Sequence, residues 1–156
     1  MSTGKVVGSS MADVHIDDHS DEYMRDVEKA LDVALEAIGI HIEGEAKEEL
    51  ENSPRRVDTG LLRNSITYAL DGESTAISTY SGDNPSQYTG KPAESGSYSG
   101  SAPKETNGRS VMIGTNVEYG IYVHEGTSRM SPNRFLKNAV EKNKDQITKY
   151  IEDAMG

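Results

Sequence analysis

His124 and Glu125 stand side by side late in the chain, and an imidazole next to a carboxylate is the pairing a general base requires. Adjacent residues on a helix or strand point in different directions, however. A general base also needs an orienting partner and a substrate pocket, and the sequence offers neither. His124 therefore reads as a capping or interface residue. A second cluster, Asp13, His15, Asp17, Asp18, His19 and Asp21, contains two histidines at i and i+4, a spacing that can share a metal on a helix. His15-Ile16-Asp17-Asp18-His19 departs from the HExxH zinc signature, and almost nothing apolar fixes the shape of the segment, so it reads as a solvated acidic tail. The chain has no Cys, which removes thiolate chemistry and disulfides. It also lacks a GxxxxGK[ST] loop and a GxGxxG turn between strand and helix. The expectation is a protein that is not an enzyme and has no catalytic residue, no metal and no cofactor.

Charge and apolar content say more about partners. Residues 11–52 carry 14 acids and 3 bases, while Arg129, Arg134, Lys137, Lys142, Lys144 and Lys149 face only Glu141 and Asp145 near the end. An acidic first part speaks against nonspecific nucleic-acid binding, and a basic last part can attract it within a chain or between chains. Leu, Ile, Val and Phe together number 28 of 156 residues, and only four of them fall in residues 1–20 and 81–108. A small folded body with mobile additions is expected, its thin core completed by partner subunits. No apolar run approaches the ~20 residues of a membrane span, and the N-terminus lacks the apolar region of a signal peptide. No membrane association is expected.

The elements that must position these residues follow from periodicity. Residues 1–20 are small, polar and acidic and read as a mobile segment, with Met11 an alternative start; a single domain is expected over 21–156. Met24, Val27, Leu31, Leu35, Ile38, Ile42, Ala46 and Leu50 recur every three or four residues, which predicts an amphipathic helix of about 30 residues. Gly39 and Gly44 weaken it and mark a bend, and Ser53-Pro54 ends it. After a turn, Ile66, Tyr68 and Leu70 alternate with polar residues as in a half-buried strand. Asp71-Gly72 predicts a hairpin leading into a weaker strand over 74–80. Gly, Ser and Pro then supply 14 of the 28 residues from Ser81 to Gly108, which predicts a long flexible loop. A strand follows over 109–115, and Ser131-Pro132 predicts the N-cap and first residue of one last helix. The fold class expected is α+β: a long N-terminal helix, a small antiparallel sheet and a C-terminal helix, with a flexible loop between strands.

Two clusters of turn and aromatic residues remain. Asp58 or Thr59 can cap backbone N–H groups after the long helix, Gly60 permits a sharp reversal, and Leu61 and Leu62 return the chain to the core. Tyr119 and Tyr122 share one side of a short helical turn and suit either core packing or a subunit contact. Gly126 before Thr127 suits a helix C-terminus or tight turn. In the loop, Tyr88 and Tyr98 are the only large side chains able to anchor it on a partner.

Val57-Asp58-Thr59-Gly60-Leu61-Leu62-Arg63-Asn64-Ser65-Ile66, then Tyr119-Gly120-Ile121-Tyr122-Val123-His124-Glu125-Gly126-Thr127, then Phe135-Leu136 and Ala139 occur in that order. This ordered set resembles the tail-component (neck, head–tail joining, tail-completion) family of long-tailed double-stranded DNA phages, over about Asp21 to Asp153. Arg134 stands where that family usually has proline before Phe135, and the 81–108 loop is longer and more polar than usual. The resemblance implies a structural morphogenesis protein of a phage or prophage, assembled in the bacterial cytoplasm and resident in the virion. It would form a homo-oligomeric ring, contact other neck and tail proteins, and at most let DNA pass through. Asp58, Thr59, Gly60, Tyr119, Tyr122, His124, Glu125, Gly126 and Phe135 are its candidate structural and interface residues. The alternative is a small intracellular protein-binding adaptor without ring assembly.

Overall fold

The computed structural model describes residues 20–104 and 109–156, so the segment expected to be mobile over 1–20 lies, apart from Ser20, outside the described residues, as do 105–108. The chain runs α1 (Ser20–Glu51), α2 (Leu61–Ser65), β1 (Thr67–Leu70), β2 (Thr79–Ser81), β3 (Ser95–Ser97), β4 (Val111–Gly114), α3 (Gly120–Glu125), α4 (Phe135–Lys142) and α5 (Lys144–Met155). This is the expected α+β architecture. α1 occupies the span its apolar spacing predicts, and Ala34, Ile38, Ile42, Ala46 and Leu50 are buried along one stripe of it. Leu62, Ile66, Val123, Phe135 and Ala139 close over that stripe to form the core.

Two small antiparallel sheets form. In the first, β1 pairs with β4, Thr67 opposite Gly114 and Leu70 opposite Val111. The Asp71-Gly72 turn does form, with Gly72 at φ +76° and Glu73 N donating to Leu70 O at 2.9 Å. The hairpin expected from it does not, because the following residues are mostly small and polar whereas Val111 and Ile113 bring apolar side chains to the core. In the second sheet, β2 pairs with β3, Tyr80 opposite Gly96. β3 lies inside the stretch expected to be loop. A Cβ on Gly96 would stand 2.7 Å from the Tyr80 hydroxyl oxygen, so the glycine admits the phenol ring over the strand.

Leu61–Ser65, where the sequence marks only a reversal of the chain, forms a helical turn. Two further expectations are corrected. The Ser131-Pro132 cap is absent: α4 begins at Phe135 after Arg134, and Ser131 instead accepts from Arg56 Nη2 through its carbonyl at 2.9 Å and its Oγ at 3.0 Å. The single last helix is broken at Asn143, whose φ of −115° leaves the helical region. Asn143 Nδ2 donates to Ala139 O at 2.7 Å, and its Oδ1 lies 3.1 Å from His41 Nε2, so one amide both ends α4 and ties the joint to α1.

Gly39 lies where α1 meets the β1–β4 sheet. A Cβ there would stand 2.6 Å from Tyr68 Cδ2, so the absent side chain lets α1 lie directly on β1. At Gly44 nothing lies within 4 Å. Gly39→Val should therefore lower stability by about 2 kcal/mol through overpacking, whereas Gly44→Ala should raise it by about 1 kcal/mol through helix propensity. Urea denaturation midpoints of the two variants check this, and a stable Gly39→Val protein would refute the close approach.

Candidate interaction surface

The corner after α1 is held from several directions. Arg56 N donates to Leu50 O at 2.8 Å, and the buried Asn133 donates through Nδ2 to Glu49 O at 2.8 Å and Pro54 O at 3.0 Å. Asn133 N also donates to Val123 O at 2.9 Å, so this one residue joins the end of α1 to α3. Nothing in the sequence pattern singled out Asn133; its position after Pro132 was the only signal.

The Asp58-Thr59-Gly60 turn sits on this corner and holds the Gly- and Ser-rich segment. Asp58 accepts from Ser86 Oγ at 2.6 Å and from Gln87 N at 2.8 Å. Thr59 O accepts from Asp83 N at 2.6 Å and Asn84 N at 3.2 Å, while Thr59 Oγ1 accepts from Leu61 N at 3.2 Å and caps α2. Gly60 has φ +90°, which disfavours a side chain, and a Cβ there would meet Asp83 Oδ2 at 2.9 Å. Thr59 thus does the capping, and Asp58 is a clasp for residues 86–87. Farther along, Tyr98 donates its hydroxyl to Ser65 O and, at 3.2 Å, to Gly114 O, and its ring lies 5.3 Å from that of Tyr80. Tyr98 anchors the segment on its own body. Tyr88, 82% exposed, has its ring in solvent.

On the other side of the corner, α3 buries Gly120 and Val123 and turns outward the side chains between them. Tyr119, Ile121 and Tyr122 are 44%, 64% and 59% exposed, so the two tyrosines are not core residues. Six residues form the whole helix, too few to cover a third side chain with their own neighbours. Gly126 closes α3 at φ +81°, its N–H donating to Tyr122 O at 2.8 Å.

His124 links α3 to α4. Its Nε2 accepts from Lys137 N at 3.3 Å, in the first turn of α4, which assigns the proton to Nδ1 and directs it to Glu125 Oε1 at 2.8 Å. The ring meets the buried Phe135 edge-on at 5.3 Å. Both ring nitrogens thus have partners within the protein. Among the described residues no three His, Asp or Glu side chains converge to hold a metal, and no helix is long and apolar enough to cross a membrane. His15 and His19 lie outside the described residues.

Between the corner and residues 86–94 opens a cleft of about 740 Å³. Leu61, Leu62, Val123 and Met130 supply apolar lining, Arg55, Arg56, Arg63 and Lys91 supply cations, and Asp58 and Glu94 supply two carboxylates. Arg55 and Arg63 share Glu51, at 3.0 and 3.4 Å, whereas Arg56 and Lys91 have no carboxylate within ion-pair distance among the described residues. Tyr119 lies in the cleft wall, and burial pushes its phenol above the usual value against a hydrogen bond with the Leu62 backbone. The surface thus combines apolar side chains with an excess of cations over carboxylates.

Asp58→Ala should release residues 86–87 while leaving the core intact. A lost charge-assisted hydrogen bond of roughly 1 kcal/mol corresponds to amide exchange about five-fold faster at Gln87; hydrogen exchange followed by mass spectrometry reads this directly. Glu125 provides a pH test. The hydrogen bond from His124 holds its carboxyl below the usual range, against slight desolvation, with the charges of Arg134 and Lys137 adding to the effect. An ionised Glu125 therefore stabilises the α3–α4 junction above the ordinary carboxyl pKa of about 4.3, and this is lost as pH falls through the lower folded value. The drop in Tm caused by Glu125→Ala should be present at pH 7 and shrink by about pH 3; a drop unchanged between those two melts would contradict the pairing.

Neither a protein-family model, nor a curated protein, nor a solved structure matches this chain.

Proposed function

We propose that this chain is a structural subunit of a phage or prophage neck, a head–tail joining or tail-completion protein that acts by assembling into a ring and catalyses no reaction. Its partners would be copies of itself and the other neck and tail proteins, in a virion assembled in the bacterial cytoplasm, with DNA at most passing through the ring. The observation that carries this reading is the open face of α3: Ile121 and Tyr122 stand out of a helix of six residues that buries Gly120 and Val123, with the half-exposed Tyr119 just before it. Exposed aromatic and aliphatic side chains on a rigid short element are what a subunit contact draws on. The ordered motifs support it as well, since Leu62, Val123, Phe135 and Ala139 from them share one core, while Asn133 ties α3 to the end of α1 and His124 ties it to α4.

The charge partition plays a smaller part than its size suggests. Lys142 Nζ reaches Glu49 Oε1 at 2.7 Å, and Arg109 pairs with Asp32 at 2.6 Å and Glu28 at 3.1 Å, so basic residues already answer α1 within the chain. Contacts between subunits made chiefly by α3 would then depend only weakly on salt. The second reading, a protein-binding adaptor, draws on the 740 Å³ cleft.

Light scattering should find oligomers of one mass, and negative-stain images should show closed rings. Ile121→Asp combined with Tyr122→Asp should raise the midpoint concentration of assembly by about ten-fold or more, the equivalent of 1.4 kcal/mol, with an unchanged circular dichroism spectrum. A chain that stays monomeric at every concentration and does not co-assemble with neck or tail proteins would sink the ring and favour the adaptor.

A further inference from the structure

We infer that the cleft beside the end of α1 receives residues 13–18 of a second copy of this chain, making an arm exchange between neighbours; the inference rests on the reading of the protein as a self-assembling subunit.

Complementarity comes first. The cleft joins Leu61, Leu62 and Val123 to four cations against the two carboxylates of Asp58 and Glu94, and of those cations Arg56 and Lys91 form no ion pair among the described residues. The Arg56 guanidinium is already held in place by Ser131 and the Arg55 carbonyl, none of which offsets its charge. Asp13-Val14-His15-Ile16-Asp17-Asp18 is the matching sequence: in an extended peptide Val14 and Ile16 fall on one side, and Asp13 and Asp17 on the other. No other stretch of the chain outside the described residues combines apolar alternation with acids, since 105–108 is Glu-Thr-Asn-Gly.

Reach decides that the arm comes from another copy. α1 begins at Ser20 and runs 32 residues, which at 1.5 Å per residue is about 48 Å. Arg55 and Arg56 follow its far end directly. Asp13 stands seven residues before Ser20, a tether of at most about 25 Å even fully extended. The segment cannot double back along its own helix to the cleft, but it can enter the cleft of a neighbour whose α1 ends nearby. Such a contact joins unlike surfaces, the beginning of one chain to the corner of the next, and repeats of it either close a ring or grow a filament.

The chain has no Cys, so thiol cross-linking can be placed at will. Full-length Ile16→Cys is mixed with full-length Thr89→Cys, which lies in the cleft wall, and treated with a short bismaleimide. Docking raises the local thiol concentration, so the mixed covalent dimer should form roughly ten-fold faster than between Ile16→Cys and a control Asp145→Cys on α5. Adding Lys91→Glu to the Thr89→Cys chain should slow it, and Asp17→Lys on the arm should restore it. Arg56→Glu serves as a second cleft variant, with its fold checked by circular dichroism. No excess over the control pair overturns the arm exchange, and so does a chain carrying both cysteines that cross-links only within itself. Light scattering on the same samples separates the two readings: intact oligomers without cross-links leave the ring and remove the arm, and cross-linked dimers that never close leave the arm and remove the ring.

Discussion

Ile38, Ile42, Ala46 and Leu50 lie one above another on α1 and almost wholly out of water, and the β1–β4 sheet, α4 and α5 find their apolar contacts on or beside them. Burying each of the larger side chains contributes about 1.5–3 kcal/mol. In a chain with one Phe and no Trp, few other sources of that size exist. The position of Gly39 follows from this constraint: the sheet must come close enough for Tyr68 and Val111 to cover the stripe, and a side chain at 39 would hold it off. The α1 stripe therefore positions the corner, and the corner positions both α3 and the cleft.

Polar groups take over where the apolar supply ends. Residues 81–104 contain no Leu, Ile, Val or Phe, and they are held by Asp58, Thr59, Asn64 and the Tyr98 hydroxyl through donors and acceptors of the backbone. Hydrogen bonds of this kind yield about 1 kcal/mol each, so they fix a path without supplying a core. The Asp58-Thr59-Gly60 turn is thus both a corner and the mooring of the segment that forms one wall of the cleft.

Side-chain period explains which elements the sequence revealed. α1 was plain from Met24 to Leu50 because a long amphipathic helix repeats its signal many times. β1 and β4 were found through alternation, but their pairing was not, since a turn at Asp71-Gly72 carries local information and the partner choice is nonlocal. β3 is Ser-Gly-Ser, with no side chain to mark a face, and only its register with Tyr80 reveals it. The break at Asn143 was hidden because apolar residues continue through Ile147 and Tyr150 at helical spacing. At the candidate surface, the turn and aromatic residues announced themselves by type. Asn133 and Arg56, which hold the corner through main-chain carbonyls, had no pattern to belong to.

The pairing of β1 with β4 makes everything from Asp71 to Ser110 a single closed excursion between two neighbouring strands. Closing such a loop costs entropy only logarithmically in its length, about 0.6 kcal/mol for each doubling. Length variation in this excursion is therefore nearly neutral for the body, whereas a one-residue slip in either strand would turn Val111 and Ile113 away from the core. The molecule thus joins an excursion whose length carries little entropic cost to a body whose register must be kept, and the junction between them runs through the four residue pairs of one small sheet.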